Sequence, residues 1–247
     1  MSPLRLPWLG DDPDAPFPPP EMALREPDGL LAAGGDLSPR RLLAAYRQGI
    51  FPWFSAGEPP LWWSPDPRAV FRTGRVARSR RFRRSLRGST WVARADTAFD
   101  QVIATCARIP RRGQRGTWIT DDMLRAYSTL HRLGHAHSLE VYDGTELVGA
   151  IYGVAIGRMF FGESMFSART DGSKVAIAAL AQVLAGWGWP LIDAQVTNPH
   201  LALLGAELWP RGEFLREVAR LTAEPGRMGP WTAAVGELAA SSLAAAD

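Results

Sequence analysis

One cysteine, one lysine and no long apolar run: three scarcities bound what this 247-residue chain can be. The single thiol, Cys106, excludes an internal disulfide, and its apolar spacing with Phe99, Val102 and Ile103 marks a core position rather than a nucleophile. No stretch approaches the roughly 18 uninterrupted apolar residues of a membrane span. The N-terminus, rich in Pro and acid, lacks a basic then apolar signal peptide, so a cytoplasmic protein is expected. Histidine is also sparse. His131 and His135 have an i, i+4 spacing that a metal could use, yet no Glu or Cys completes a ligand pattern. With His137 they cluster near a helix end, which favours structural or capping roles.

The charge is nearly even, 28 basic against 25 acidic residues, too balanced to announce a polyanion by itself. Its distribution says more. Arg75, Arg78, Arg80, Arg81, Arg83, Arg84 and Arg87 crowd one stretch that contains no acid, whereas Lys174 is the only lysine. On a helix these arginines spread around most of the circumference, which requires a solvated surface. Phosphate binding and an ordinary basic surface are both open.

Against this background residues 160 to 167 stand out, Phe-Phe-Gly-Glu-Ser-Met-Phe-Ser, with one carboxylate in an aromatic and apolar run. A buried, unpaired carboxylate costs several kcal/mol, so Glu163 needs partners, a proton or a use. A second apolar run, Leu191 to Val196, carries Asp193 and Gln195, and on a strand a spacing of two puts both on one face. Glu163, Asp193 and Gln195 are expected to line one polar spot in an apolar cleft.

Taken in order, residues 1 to 20 are expected to form an extended arm. Ser38 as N-cap, Pro39 at the first helical position, an apolar stripe through Leu42, Leu43 and Tyr46, and Gly49 as stop define a helix. Trp53, Trp62 and Trp63 lie between prolines in a stiff loop that serves either as a mini-core or as a stacking platform. Val70 to Thr73 and Thr90 to Ala93 read as strands, Asp96 to Ile109 as a helix, and Thr120 caps another that stops at Gly134. Strands at 138 to 142, 147 to 155 and 159 to 166 form an antiparallel meander. A long apolar helix follows from Asp171 to about Gly186, then the strand at 191, a short helix after Pro199, a strand near Leu208 and a helix from Arg211 to Leu221. The Ala-rich tail, residues 226 to 247, reads as loosely attached.

This is the order of an α+β acyltransferase fold of the GNAT type, with a mixed, largely antiparallel sheet. Coenzyme A enzymes of that type cradle pyrophosphate with an Arg/Gln-x-x-Gly-x-Gly/Ala loop before the long helix. Residues 168 to 175, Ala-Arg-Thr-Asp-Gly-Ser-Lys-Val, do not fit it.

Several long words are specific: GLLAAGGDLSPRRLLAAYRQGIFPWF (29 to 54), LWWSPDPRAV (61 to 70), GTWIT (116 to 120), LGHAHSLEV (133 to 141), FGESMFS (161 to 167) and LIDAQV (191 to 196). Through them, over residues 21 to 220, the chain resembles the leucyl/phenylalanyl-tRNA-protein transferase family. The resemblance implies a small N-terminal lobe at 21 to 67 and a GNAT-like catalytic domain at 68 to 225. It implies transfer of Leu or Phe, with Met as a further donor, from aminoacyl-tRNA to proteins with an N-terminal Arg or Lys. No metal or nucleotide cofactor, no membrane and a monomer are expected. Trp53 and Trp118 fall by the terminal adenosine. Ile151, Phe160, Ile177, Leu180, Leu184 and Ile192, with Glu163 beside them, form the amino-acid pocket, although the family often has Met or Phe where Ile151, Leu180 and Leu184 stand. Asp193 and Gln195, with Glu163, take the catalytic positions, and Arg78, Arg80, Arg81, Arg83 and Arg84 face the tRNA acceptor stem. Two other classes stay open: a coenzyme A dependent acyltransferase, and a non-catalytic RNA-binding module, which gives no reason for Asp193 and Gln195 in an apolar strand.

Overall fold

A computed structural model describes residues 6–109 and 119–245. Its smaller sheet joins β1 (Trp8–Leu9), β2 (Leu30–Gly34), β3 (Phe51–Pro52) and β4 (Leu61–Trp63) in the order β1-β2-β4-β3, with helix α1 (Pro39–Arg47) inserted between β2 and β3. The Ser38 hydroxyl accepts the Arg41 N–H, so α1 begins at its expected cap. The tryptophans of the stiff loop divide their work. Trp62 is fully buried, with Nε1 donating to the Gly34 carbonyl at 2.9 Å and the Phe17 ring edge-on at 4.9 Å. Trp53 stays half-buried, tilted against Trp63 at 5.6 Å.

The larger sheet is built in chain order from β5 (Arg68–Arg72), α2 (Arg80–Arg87), β6 (Val92–Ala95), α3 (Phe99–Arg108), α4 (Asp121–Arg132), β7 (Ala136–Asp143), β8 (Glu146–Ile156), β9 (Met159–Ser167), α5 (Gly172–Gly186), β10 (Leu191–Gln195), α6 (Pro199–Leu203), β11 (Glu207–Trp209), α7 (Arg211–Ala223), α8 (Thr232–Val235) and β12 (Leu238–Ala239). Its eight strands run β11-β5-β10-β9-β8-β7-β6-β12. β7, β8 and β9 form the expected antiparallel meander. β9 and β10 pair in parallel, and α5 is the crossover that such a pair requires.

Alternation along β8 separates two cores. Ala150, Tyr152 and Val154 join α1, α3 and α4, including Cys106, on one face; Ile151 and Ala155 join α5 on the other. α5 is apolar around most of its girth, and ten of its residues are buried, because the sheet covers one side and the C-terminal segment helps cover the other.

Two expectations need correction. The third helix starts at Phe99 rather than Asp96, because Asp96 adopts a left-handed conformation (φ 57°) and spends its carboxylate on the His137 ring and the backbone N–H groups of Ser138 and Trp231. Nor is the tail loosely attached. β12 pairs with β6, the Ala240 N–H reaches the Trp91 carbonyl at 2.8 Å, and Ala240 and Leu243 are fully buried in the core that holds Phe82 and Leu86 of α2. Alanine's small side chain permits this close approach. Leu243→Ala should therefore cost about 2 to 5 kcal/mol in urea unfolding. A loosely attached tail would instead leave stability within about 0.5 kcal/mol of wild type.

Candidate active site

Glu163 stands where β9 is bulged: Gly162 pairs with Gly153 and Ser164 with Tyr152, so Glu163 is the extra residue. A bulge re-aims one side chain, and here it places the carboxylate against hydroxyls from two helices. Tyr46 of α1 donates to Oε1 at 2.7 Å, and Tyr127 of α4 donates to Oε2 at 3.0 Å, while the two hydroxyls also contact each other. A third donor, Nε2 of Gln195, meets Oε1 at 2.7 Å. Burial raises the Glu163 pKa to about 7; the hydrogen bonds from Tyr46, Tyr127 and Gln195 oppose the rise, and the nearby Asp193 charge adds to it. Burial, reinforced by the Glu163 charge, holds both tyrosines well above their usual pKa, so they remain donors.

Asp193 is fully buried and carries a full set of partners. Arg68 of β5 donates from Nε to Oδ1 at 2.8 Å and from Nη2 to Oδ2 at 2.7 Å. This bidentate pair suits a guanidinium fork, and the Arg68 plane also lies 4.7 Å from the Phe51 ring centre and 4.6 Å from that of Phe214. Asp193 meets the backbone of Gln195 rather than its side chain: Gln195 N donates to Oδ1 at 2.9 Å. The register shifts between Asp193 and Gln195, and Gln195 is left-handed at φ 61°. Strand alternation therefore does not place Gln195; the bulge and its N–H bond do. With Nε2 held by Glu163, the amide oxygen Oε1 is the end left for a ligand.

Phe160, Ile151, Ile177, Leu180, Leu184 and Ile192 fall together in the buried core between the sheet and α5. The tyrosine partners of Glu163 lie in the core on the opposite face. On α2, Phe82 and Leu86 are buried one turn apart, and Arg80, Arg81, Arg84 and Arg87 are exposed. Arg78 and Arg83 are half-buried, and burial with the neighbouring Arg83 charge lowers the Arg78 pKa. Lys174 donates to Asp171 at 2.6 Å and sits 5.9 Å from the Phe82 ring centre. Trp118 lies outside the described residues.

Residues 70–219 match the family model for the leucyl/phenylalanyl-tRNA protein transferase, and residues 35–66 match the model for its N-terminal domain. The chain belongs to this leucyl/phenylalanyl-tRNA protein transferase family. It is an aminoacyltransferase. Among curated relatives, a leucyl/phenylalanyl-tRNA--protein transferase of Xanthomonas euvesicatoria is 66% identical over 98% of both chains. One from Xylella fastidiosa is 63% identical, covering 93% of this chain and 94% of its own. A conserved Staphylococcus epidermidis protein of unknown function superposes over 73% of this chain and 68% of its own at 11% identity with a TM-score of 0.40, too loose a likeness to bear on the fold.

Three residues of this candidate site do not declare themselves in the sequence. Tyr46 reads there only as an apolar stripe position, Tyr127 is one residue within the helix that Thr120 caps, and Arg68 is one more arginine near the end of the LWWSPDPRAV word. The available signal is Glu163 itself, since a buried carboxylate demands donors and the chain has only four tyrosines.

The raised Glu163 pKa has a thermodynamic consequence. Between about pH 4.5 and about pH 7 the folded protein holds a proton that the unfolded chain has released, so this group makes stability fall as pH rises through that window. The full effect is about 3 kcal/mol, and Glu163→Gln should lack it. Urea unfolding of both proteins at intervals from about pH 4.5 to about pH 8 checks this; parallel stability curves would contradict it.

Proposed function

We propose that the chain transfers Leu, Phe or Met from aminoacyl-tRNA to the N-terminal Arg or Lys of an acceptor protein, marking that protein for degradation. The observation that carries this reading is the chain of contacts Tyr46/Tyr127–Glu163–Gln195–Asp193–Arg68, which fixes a free amide oxygen at the end of β10. An amide oxygen held outward is suited to accept an N–H from an incoming amine. The domain that holds it is read as GNAT-like, from the succession of β7, β8, β9, α5, β10, α6 and β11.

The donor ester is already activated, so the work is positioning, proton management and oxyanion stabilisation. The acceptor nitrogen forms a bond to the ester carbonyl carbon while the bond from that carbon to the ribose oxygen breaks. The amine loses a proton, to water or to the neighbouring ribose hydroxyl, and the departing ribose oxygen gains one. Gln195 Oε1 orients the amine. Ionised Glu163 keeps Nε2 inward and so keeps Oε1 outward, while Asp193 and Arg68 hold the backbone beneath it. Half-buried Trp53, with Trp118, takes the terminal adenosine by stacking. The donor side chain enters the core of Ile151, Phe160, Ile177, Leu180, Leu184 and Ile192, across the sheet from the tyrosine partners of Glu163. Arg78, Arg80, Arg81, Arg83 and Arg84 meet the acceptor stem.

A coenzyme A donor is disfavoured by the start of α5. Its first N–H groups are already satisfied, Gly172 by the Arg169 carbonyl and Ser173 by the Ser167 hydroxyl at 2.8 Å, and the Asp171 carboxylate stands beside them. These are the donors a pyrophosphate would use.

Radiolabelled leucyl-tRNA mixed with a peptide beginning in Arg should yield labelled peptide; acetyl-CoA should yield none. Asp193→Ala should lower transfer about 100-fold, because Gln195 is displaced, yet leave binding of an aminoacyl-adenosine analogue nearly unchanged. Equal losses in both would remove Asp193 from the catalytic machinery. Replacing Arg80, Arg81, Arg83 and Arg84 together should flatten the salt dependence of tRNA binding by up to about 0.9 in log–log slope for each phosphate no longer neutralised. An unchanged slope would take α2 out of the RNA interface.

A further inference from the structure

One boundary of the proposed donor pocket comes from neither β9 nor α5. The Phe160 ring lies across Gly153 of β8, so closely that a Cβ on Gly153 would meet Phe160 Cε1 at 2.6 Å and Cζ at 2.8 Å. Gly153 pairs with His137 of β7. On the His137 ring lies Trp231, stacked at 3.8 Å and 5° between planes, and the Trp231 indole is 6.0 Å from the Phe160 ring. Across the sheet face the order is thus Ile192 on β10, Phe160 leaning from β9 over β8, then Trp231 above β7. Trp231 occupies the side of Phe160 that faces away from Ile192.

The indole has little freedom to move. It is 2% exposed, and Trp187 and Trp189 contact it edge-on at 4.9 and 5.8 Å. Its backbone N–H donates to Asp96 Oδ2 at 2.7 Å, and its Nε1 donates to the Arg227 carbonyl at 3.1 Å. Asp96 also bonds His137 Nδ1 at 2.8 Å, so one carboxylate locks both members of the stack. The segment leading to Trp231 is seated backbone against backbone: a Cβ on Gly226 would fall 2.1 Å from the Gly157 carbonyl oxygen, and one on Gly134 would fall 2.4 Å from Gly229 N.

We propose that Trp231 is a specificity-positioning residue: by backing the Phe160 ring it fixes the depth of the donor side-chain pocket, so the C-terminal segment sets the upper size of the amino acid transferred. This rests on the pocket assignment made above. Phe160 cannot retreat toward His137 while the indole fills that space, and nothing in the chemistry step requires Trp231 itself.

The test compares kcat/KM for phenylalanyl-tRNA and leucyl-tRNA in the full chain, with folding of each variant checked by its thermal transition. Trp231→Leu vacates the space behind Phe160 and should raise the Phe to Leu ratio about tenfold, mainly through KM for the larger donor. Trp231→Phe, which keeps a smaller ring, should raise it about threefold and carries the test if the Leu variant fails to fold. A folded variant whose ratio matches wild type, with both donors reduced in parallel, overturns the proposal by reducing Trp231 to a structural role. A wild-type protein that transfers neither donor would instead sink the functional reading itself, and the two failures are thereby distinguishable.

Discussion

A carboxylate withdrawn from water must be compensated, and Glu163 draws its compensation from three distant parts of the chain. Tyr46 comes from the helix beside the small N-terminal sheet, Tyr127 from the helix that precedes the meander, and Gln195 from the strand that α5 returns to the sheet. Each donor lies on an element that also contributes side chains to the core. The tyrosines can therefore reach Glu163 only if both helices are seated against the same sheet face, and Gln195 only if β10 lies beside β9. The hydrogen bonds to one buried group thus report on the assembly of the whole fold.

The second constraint is the ion pair next to it. Asp193 and Arg68 are both sealed from solvent, and such a pair gains little net stability because desolvation offsets most of the attraction. Its value is geometric. It ties β10 to β5, places a guanidinium between the Phe51 and Phe214 rings, and fixes the N–H of a residue whose left-handed backbone is otherwise unfavourable. The Asp193 charge also contributes to the raised pKa of Glu163. Two carboxylates in one apolar setting thus have separate fates, one neutralised by arginine and one left close to titration at neutral pH.

Local chemistry made much of this legible in the sequence. Ser38 and Thr120 cap the helices they were expected to cap, and the alternation of β7 to β9 produced the meander. Glu163 and Gln195 meet, as their polar character in apolar runs suggested. What failed did so for tertiary reasons. Periodicity carried the third helix back to Asp96, although that carboxylate is claimed by His137 and Trp231, residues 41 and 135 positions away. Alanine enrichment suggested a loose tail because composition does not reveal that small side chains are needed for close packing. Strand spacing placed Asp193 and Gln195 on one face but could not foresee the bulge between them.

The single lysine gives the surface a further property. The exposed cations of α2 are all guanidinium groups, anchored by Phe82 and Leu86 beneath. A guanidinium keeps its charge at any physiological pH and is not a substrate for lysine acetylation, the usual chemical means of silencing a basic surface. The charge along this helix is therefore permanent, and only ions in solution can moderate what it attracts.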